Sequence, residues 1–288
     1  MQILEVIIQG ILLGGLYALF ATGLSLIFGI MRLVNLAHGD FMIVGAFAVL
    51  VGVNALALPI LLAAILAGCF MFILGYVLQY LLLNRTLGRD ILPPLLVTFG
   101  LSIILQNGML ETFSADTQRL NMGAIQEQSI QLFGGLAIGV VPLLTFISAV
   151  LVIMFLNWLF YQTETGRAFR ATSDNPEIAQ LMGIDNNRIF ALAMALAMVV
   201  VTIAGLYLGA RATFDPLIGP GRLVFAFEAV IIGGLGSFWG TLAGGVILGL
   251  AQTVGAQINP EWQILFGHIV FLIVLVVRPR GLFPRVAG

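Results

Sequence analysis

Nine stretches of this 288-residue chain are long and apolar enough to suggest passage through a lipid bilayer. They lie near 8–30, 39–57, 59–83, 93–112, 134–160, 189–210, 223–236, 239–257 and 262–277. A helix needs about 20 such residues to cross the hydrocarbon, because each adds only about 1.5 Å of rise. The expected fold is all-α: a polytopic transmembrane helical bundle of eight or nine spans, forming a single domain over 1–288. The count turns on 223–236, which is short and runs into Gly233, Gly234, Gly236 and Gly240. A broken or re-entrant helix near 223–240 is the alternative to a full crossing.

Composition supports this and removes several functions. Charged residues are 9% of the chain, against about 25% in a soluble domain. All 12 basic residues are Arg, so no Schiff-base lysine and no P-loop can be built, and the chain cannot be its own P-loop ATPase. A net charge of −1 gives no basic face for nucleic acid. Cys69 has no partner for an internal disulfide. His38 and His268 lie far apart without HExxH or CxxC spacing, so neither a metal nor another cofactor is expected. The first apolar run lacks a basic leader and continues past signal length, so no cleavable signal peptide is expected.

Arginine placement gives an orientation, since flanking positive charge stays cytoplasmic. With the N-terminus outside, Arg32, Arg85, Arg89, Arg167, Arg170, Arg188, Arg278, Arg280 and Arg285 fall inside, and only Arg119, Arg211 and Arg222 outside. The C-terminus is then cytoplasmic. A polar loop over about 113–131 is external, and a longer one, 161–188, internal. The internal loop carries helix signals: Ser173 or Asp174 as N-cap, Pro176 in the first turn, Glu177 at the positive end and Gly183 as terminator. A one- to two-turn cytoplasmic helix is expected there. Small residues recur at four-residue spacing in Gly10/Gly14/Ala18/Thr22, Gly205/Gly209, Gly240/Gly244 and Gly245/Gly249, which predicts close helix packing, chiefly within one subunit.

The short helix reads E-I-A-Q-L-M-G from Glu177 to Gly183. It resembles the E-A-A-x-x-x-G coupling loop of ABC importer permeases in Glu177, Ala179 and Gly183, with Ile178 replacing the first Ala. Four blocks in order carry a wider resemblance: GLYALFATGLSLIFGIMRLVNLAHGDFMIVGAF (15–47), TGRAFRATSDNPEIAQLMGID (165–185), EAVIIGGLGSFWGTLAGGVILG (228–249) and RPRGLFP (278–284). Together they are similar to branched-chain amino acid ABC importer permeases of the LivH type. The resemblance implies a non-catalytic permease subunit of the bacterial plasma (inner) membrane. It would form half of a pathway for leucine, isoleucine, valine or related small solutes. The implied partners are a LivM-type permease, two ATPase subunits that bind the ATP, and an external solute-binding protein. Arg167, Arg170, Asp174, Pro176, Glu177, Ala179 and Gly183 would then couple to the ATPase.

Polar residues inside spans are costly and tend to face a pathway or a partner. Thr98, Ser102 and Gln106 share one helix face, with Asn107 beside them. This stripe suits passage of a zwitterionic solute without a trapping charge; the plainer reading is bonding between neighbouring helices. Asn35, His38 and Asp40 are expected to form a tight polar turn near the cytoplasmic face, with a structural or gating role. Two other functions are conceivable from the same residues. One is a proton-coupled secondary transporter using His38, Asp40 or Glu228; the other is an intramembrane serine protease with Ser237 and His268, although the G-x-S spacing for the latter is wrong.

Overall fold

The structure, a computed structural model, describes residues 2–88, 90, 92–131 and 137–283. Arg89, Arg285 and the last residue of the 278–284 block lie outside the described residues. Eleven α-helices follow one another: α1 (Gln2–Met31), α2 (His38–Asn54), α3 (Ile60–Leu81), α4 (Leu92–Phe113), α5 (Val140–Gln162), α6 (Glu164–Asp174), α7 (Pro176–Leu181), α8 (Asn186–Arg211), α9 (Gly219–Gly233), α10 (Phe238–Ile258) and α11 (Gln263–Val277). Each of the nine expected segments contains most of one of these helices. Among the described residues seven helical stretches have the length and apolarity of a membrane crossing; α2, with 17 residues, and α9, with 15, fall short.

Two local expectations are corrected. The segment expected to cross from 134 begins its helix at Val140, because Ala137–Gly139 pairs with Ser129–Gln131 in a small antiparallel hairpin. The 161–188 loop holds two helices, not one. Thr163 caps α6 by accepting from the Gly166 N–H at 3.0 Å, and Asn175, not Ser173 or Asp174, caps α7 by accepting from Ile178 at 3.0 Å. Pro176 sits at the first position of α7, where its missing N–H costs nothing. Gly183, at φ 85°, turns the chain out of that helix into α8, as its placement predicted.

The bundle is organised around α1, which packs against α10, α8, α5 and α9. In lipid there is no hydrophobic force between apolar helices, so close backbone approach must supply the packing energy. The glycine ladders supply it within this chain. A Cβ on Gly245 would lie 2.7 Å from the Ala18 nitrogen and the Gly14 carbonyl, and one on Gly249 would lie 2.5 Å from the Gly14 nitrogen. Gly240 and Gly244 approach Gly233 and Ala229 of α9, and Gly205 approaches Met42 and Ala46 of α2. Thr22 returns its hydroxyl to Ala18 O at 2.6 Å, so it needs no outside partner.

The two short helices have a topological cause. After α1 the chain does not travel round the bundle's end: residues 32–37 turn back alongside α1. His38, the first residue of α2, reaches the Phe20 carbonyl at 2.9 Å. Phe20 lies eleven positions before Met31, the end of α1 (31 − 20), or about 16 Å of helix. The α2 helix therefore starts inside the bundle. The α9 helix does too, because a Cβ on its first residue, Gly219, would meet the Asp40 Cα and nitrogen at 2.9 Å. The two helices meet N-terminus to N-terminus and leave toward opposite ends, α2 toward α3 and α9 toward the start of α10.

Candidate functional site

Asn35, His38 and Asp40 occupy this internal junction and are buried to 0%, 2% and 0% exposure. They do form a polar turn, but its expected place near the cytoplasmic face is corrected: it lies inside the bundle. Arg32 ends α1 at the bundle's end, but the six residues after Met31 climb back into the interior. Asn35 Oδ1 accepts from the Ala37 N–H at 3.0 Å and so shapes the turn into α2. Asp40 is the third residue of α2, where a carboxylate favours the positive helix end. One of its oxygens accepts from the Ser102 hydroxyl at 2.5 Å, and the other is packed against Gly219, at the N-terminus of α9. The carboxyl thus stands between the positive ends of two helices.

The α4 stripe closes on the same junction. Thr98 Oγ1 accepts from the Leu36 N–H at 3.2 Å, Ser102 donates to Asp40, and Gln106 Nε2 donates to Ser102 Oγ at 2.9 Å. Thr98 and Ser102 therefore tie α4 to residues 36–40, and Gln106 supports Ser102 from within α4, which is the helix-bonding reading of the stripe. Thr98 and Ser102 are buried, Gln106 is half-buried, and Asn107 points outward, donating only to Ile103 O at 2.8 Å. Gly221, two residues into α9, is exposed, and nothing lies within 4 Å of where its Cβ would be.

A second polar group was not brought together by sequence reasoning. On the interior side of α9, Glu228 contacts His268 Nδ1 of α11, and His268 stacks on Phe225. Phe225 in turn packs against Tyr17 of α1, whose hydroxyl donates to Gln252 Oε1 of α10 at 2.5 Å. Tyr17 and Gln252 lie 235 positions apart, each on a helix of mainly apolar composition. Their polarity inside apolar helices is the signal that singles them out, since buried polar groups in a bilayer must find one another. Ser237 caps α10 by accepting from the Gly240 N–H at 3.1 Å, and His268 is engaged by Glu228. The serine–histidine dyad of the protease reading is not formed.

At the end of the bundle where α1 stops and α10 begins, α6 and α7 project as one unit. Gly166 is pressed against the Leu159 and Phe160 carbonyls, Phe169 is fully buried against Phe160, and Arg170 donates to Phe160 O while lying over the Tyr161 ring. These contacts seat α6 on the end of α5. Arg167 pairs only with Glu164 at 3.1 Å on the surface. Ala179 is buried, holding α7 to its neighbours, while Asp174, Pro176, Glu177 and Gly183 are exposed. The tip shows Ile178, Leu181 and Met182, with Leu181 85% and Met182 79% exposed. Among the described residues no group of three or more His, Cys, Asp or Glu is placed to hold a metal.

This architecture can be set beside known proteins. Residues 6–275 match the family described as branched-chain amino acid transport system / permease component. The chain is 28% identical to the high-affinity branched-chain amino acid transport system permease protein BraD of Pseudomonas aeruginosa, over 98% of this chain and 96% of that protein. It is 27% identical to the permease protein LivH of Escherichia coli, again over 98% and 96% of the two chains. A more partial likeness, 28% identity over 68% of this chain and 58% of the relative, joins it to the fructose import permease protein FrcC of Rhizobium meliloti. The family is one of transport permeases and not of enzymes. With one profile spanning nearly its whole length and relatives matched end to end, the chain belongs to the branched-chain amino acid transport permease family.

Proposed function

We propose that the chain is one permease subunit of an ATP-driven importer and that its cargo is a branched-chain amino acid: leucine, isoleucine or valine. The observation that carries the coupling role is the α6–α7 unit. It is firmly seated on α5 yet presents Ile178, Leu181 and Met182 to the outside on a short, capped helix. A rigid knob with an apolar tip and a rim of Glu177, Arg167 and Arg170 fits a groove in an ATPase subunit and transmits its movement. The partners are then two such ATPases, a second permease of the LivM type and an external solute-binding protein.

The knob end is the cytoplasmic face in this reading. Arg32, Arg85, Arg188, Arg278 and Arg280 fall at that end together with α6, as the positive-inside rule requires, which leaves the N-terminus outside and the C-terminus inside. The α2–α9 junction, with Asn35, His38 and Asp40, acts as the gating element. Gln106 and Asn107 line the passage beside it, and Thr98 and Ser102 hold α4 in place. A zwitterion moving past uncharged amides is not trapped there. A proton-coupled mechanism finds less support: among the described residues no hydrogen bond joins His38 to Asp40 or either to Glu228.

The test is uptake in vesicles holding the whole transporter. Glu177→Arg combined with Gly183→Trp should abolish ATP-dependent uptake while membrane insertion continues; normal uptake by this variant would overturn the coupling assignment. A panel of labelled leucine, urea and benzoate decides the cargo, and saturable uptake of leucine alone is the expected result.

A further inference from the structure

The α10 helix, α1 and α5 end at one level, and between their ends lies a cavity of about 590 Å³ whose wall is shared with the coupling unit through Arg170 and Asp174. Its polar wall consists of Arg32, Asn157, Arg170, Ser173, Asp174 and Ser237. Two guanidiniums against one carboxylate leave a surplus positive charge. The first turn of the 21-residue α10 also opens into the cavity and adds its positive end. Arg32 makes no ion pair among the described residues. Arg170 spends one donor on Phe160 O, and a guanidinium carries five. The chemistry of the wall is that of an anion site.

The surroundings identify the anion's source. Tyr161 and Trp239 flank the cavity, and both are about half exposed, as is Trp158 one turn away on α5. Aromatic side chains of this kind mark the headgroup level of a bilayer. Along the same outer surface of α5, Leu151, Met154 and Phe155 are exposed and continue the apolar path into the membrane. Basic pockets between transmembrane helices on the cytoplasmic side are suited to anionic headgroups. We propose that this cavity holds the phosphate of an anionic phospholipid, clamped between Arg32 and Arg170, with the acyl chains lying along α5. The site rests on the membrane orientation given above and not on the identity of the cargo. A lipid seated there touches α1, α5, α6 and α10 at once, so it would tie the coupling unit to the bundle's central helices.

The experiment uses the transporter purified with its partner subunits into nanodiscs of mixed phosphatidylglycerol and phosphatidylcholine, followed by native mass spectrometry of the lipids retained. The expected result is a roughly fivefold preference for the anionic lipid, the worth of about 1 kcal/mol for one arginine. Arg32→Gln should bring the ratio to parity, and Arg32→Lys should keep most of it. Arg32 has φ 53°, which Asn tolerates well, so Arg32→Asn removes the charge without added backbone strain and guards against misfolding. Equal retention of both lipids by the unmodified protein would overturn the proposal. So would binding of inorganic phosphate, lost in Arg32→Gln, without lipid preference, since the ligand would then be a soluble anion. Loss of co-purifying ATPase from Arg32→Gln with lipid retention unchanged would overturn it equally, by giving the cavity to that subunit.

Discussion

Replacing Gly39 by alanine tests whether two helices begin inside the bundle. The added Cβ would collide with the Gly219 carbonyl oxygen and lie 2.7 Å from its carbon and 3.1 Å from the Leu223 nitrogen, all backbone atoms of α9. Comfortable carbon contacts are about 3.5–4.0 Å, so the deficit approaches 1 Å, and backbone cannot rotate away as a side chain would. Overpacking of this kind costs about 1–3 kcal/mol, and a clash against backbone belongs at the upper end. Helix propensity returns up to about 1 kcal/mol on changing Gly to Ala, leaving a net loss of about 2 kcal/mol. Gly221→Ala is the matched control, since nothing lies within 4 Å of its Cβ position and only the propensity gain remains. The two variants should therefore differ by about 3 kcal/mol in reversible unfolding of the purified protein in mixed detergent micelles. If they unfold within about 0.5 kcal/mol of each other, α2 and α9 do not meet backbone to backbone and the re-entrant topology is wrong.

Further outcomes follow from the polar groups around α9. Tyr17→Phe should cost about 1–3 kcal/mol in the same unfolding assay, because the buried Gln252 oxygen loses its donor and its amide nitrogen is already unbonded. His268→Leu should cost about 1–3 kcal/mol by leaving the buried Glu228 carboxyl without its partner, whereas the double variant Glu228→Leu with His268→Leu should recover most of that. Failure of the double variant to recover would show that the two side chains are not coupled.

Much of the fold is legible because the bilayer imposes one length scale on every crossing, and each of the nine apolar runs holds a helix. What periodicity does not reveal is where a helix starts in depth. Arg32 is a true marker of the bundle's end, but the chain reverses within six residues, and an extended stretch that climbs beside α1 has the same composition as one that leaves the membrane. The burial of Asn35, His38 and Asp40 was hidden for that reason. Thr98, Ser102 and Gln106 are visible in the sequence because they repeat on one helix; the partners of Thr98 and Ser102 are not, because Leu36 and Asp40 lie 62 positions away. The α6 helix was missed because its anchors, Gly166 against a carbonyl pair and Phe169 against Phe160, exist only once α5 is in place. Tyr17 and Gln252 needed three dimensions to become a pair.

The contact between α1 and α10 has a mechanical consequence. With Gly14, Gly245 and Gly249 bringing the two backbones together over several turns, neither helix can slide or twist without carrying the other. The pair forms an axle. In the proposed coupling role, a stroke delivered to the knob would be expressed as pivoting of the less tightly packed α4 about that fixed shaft.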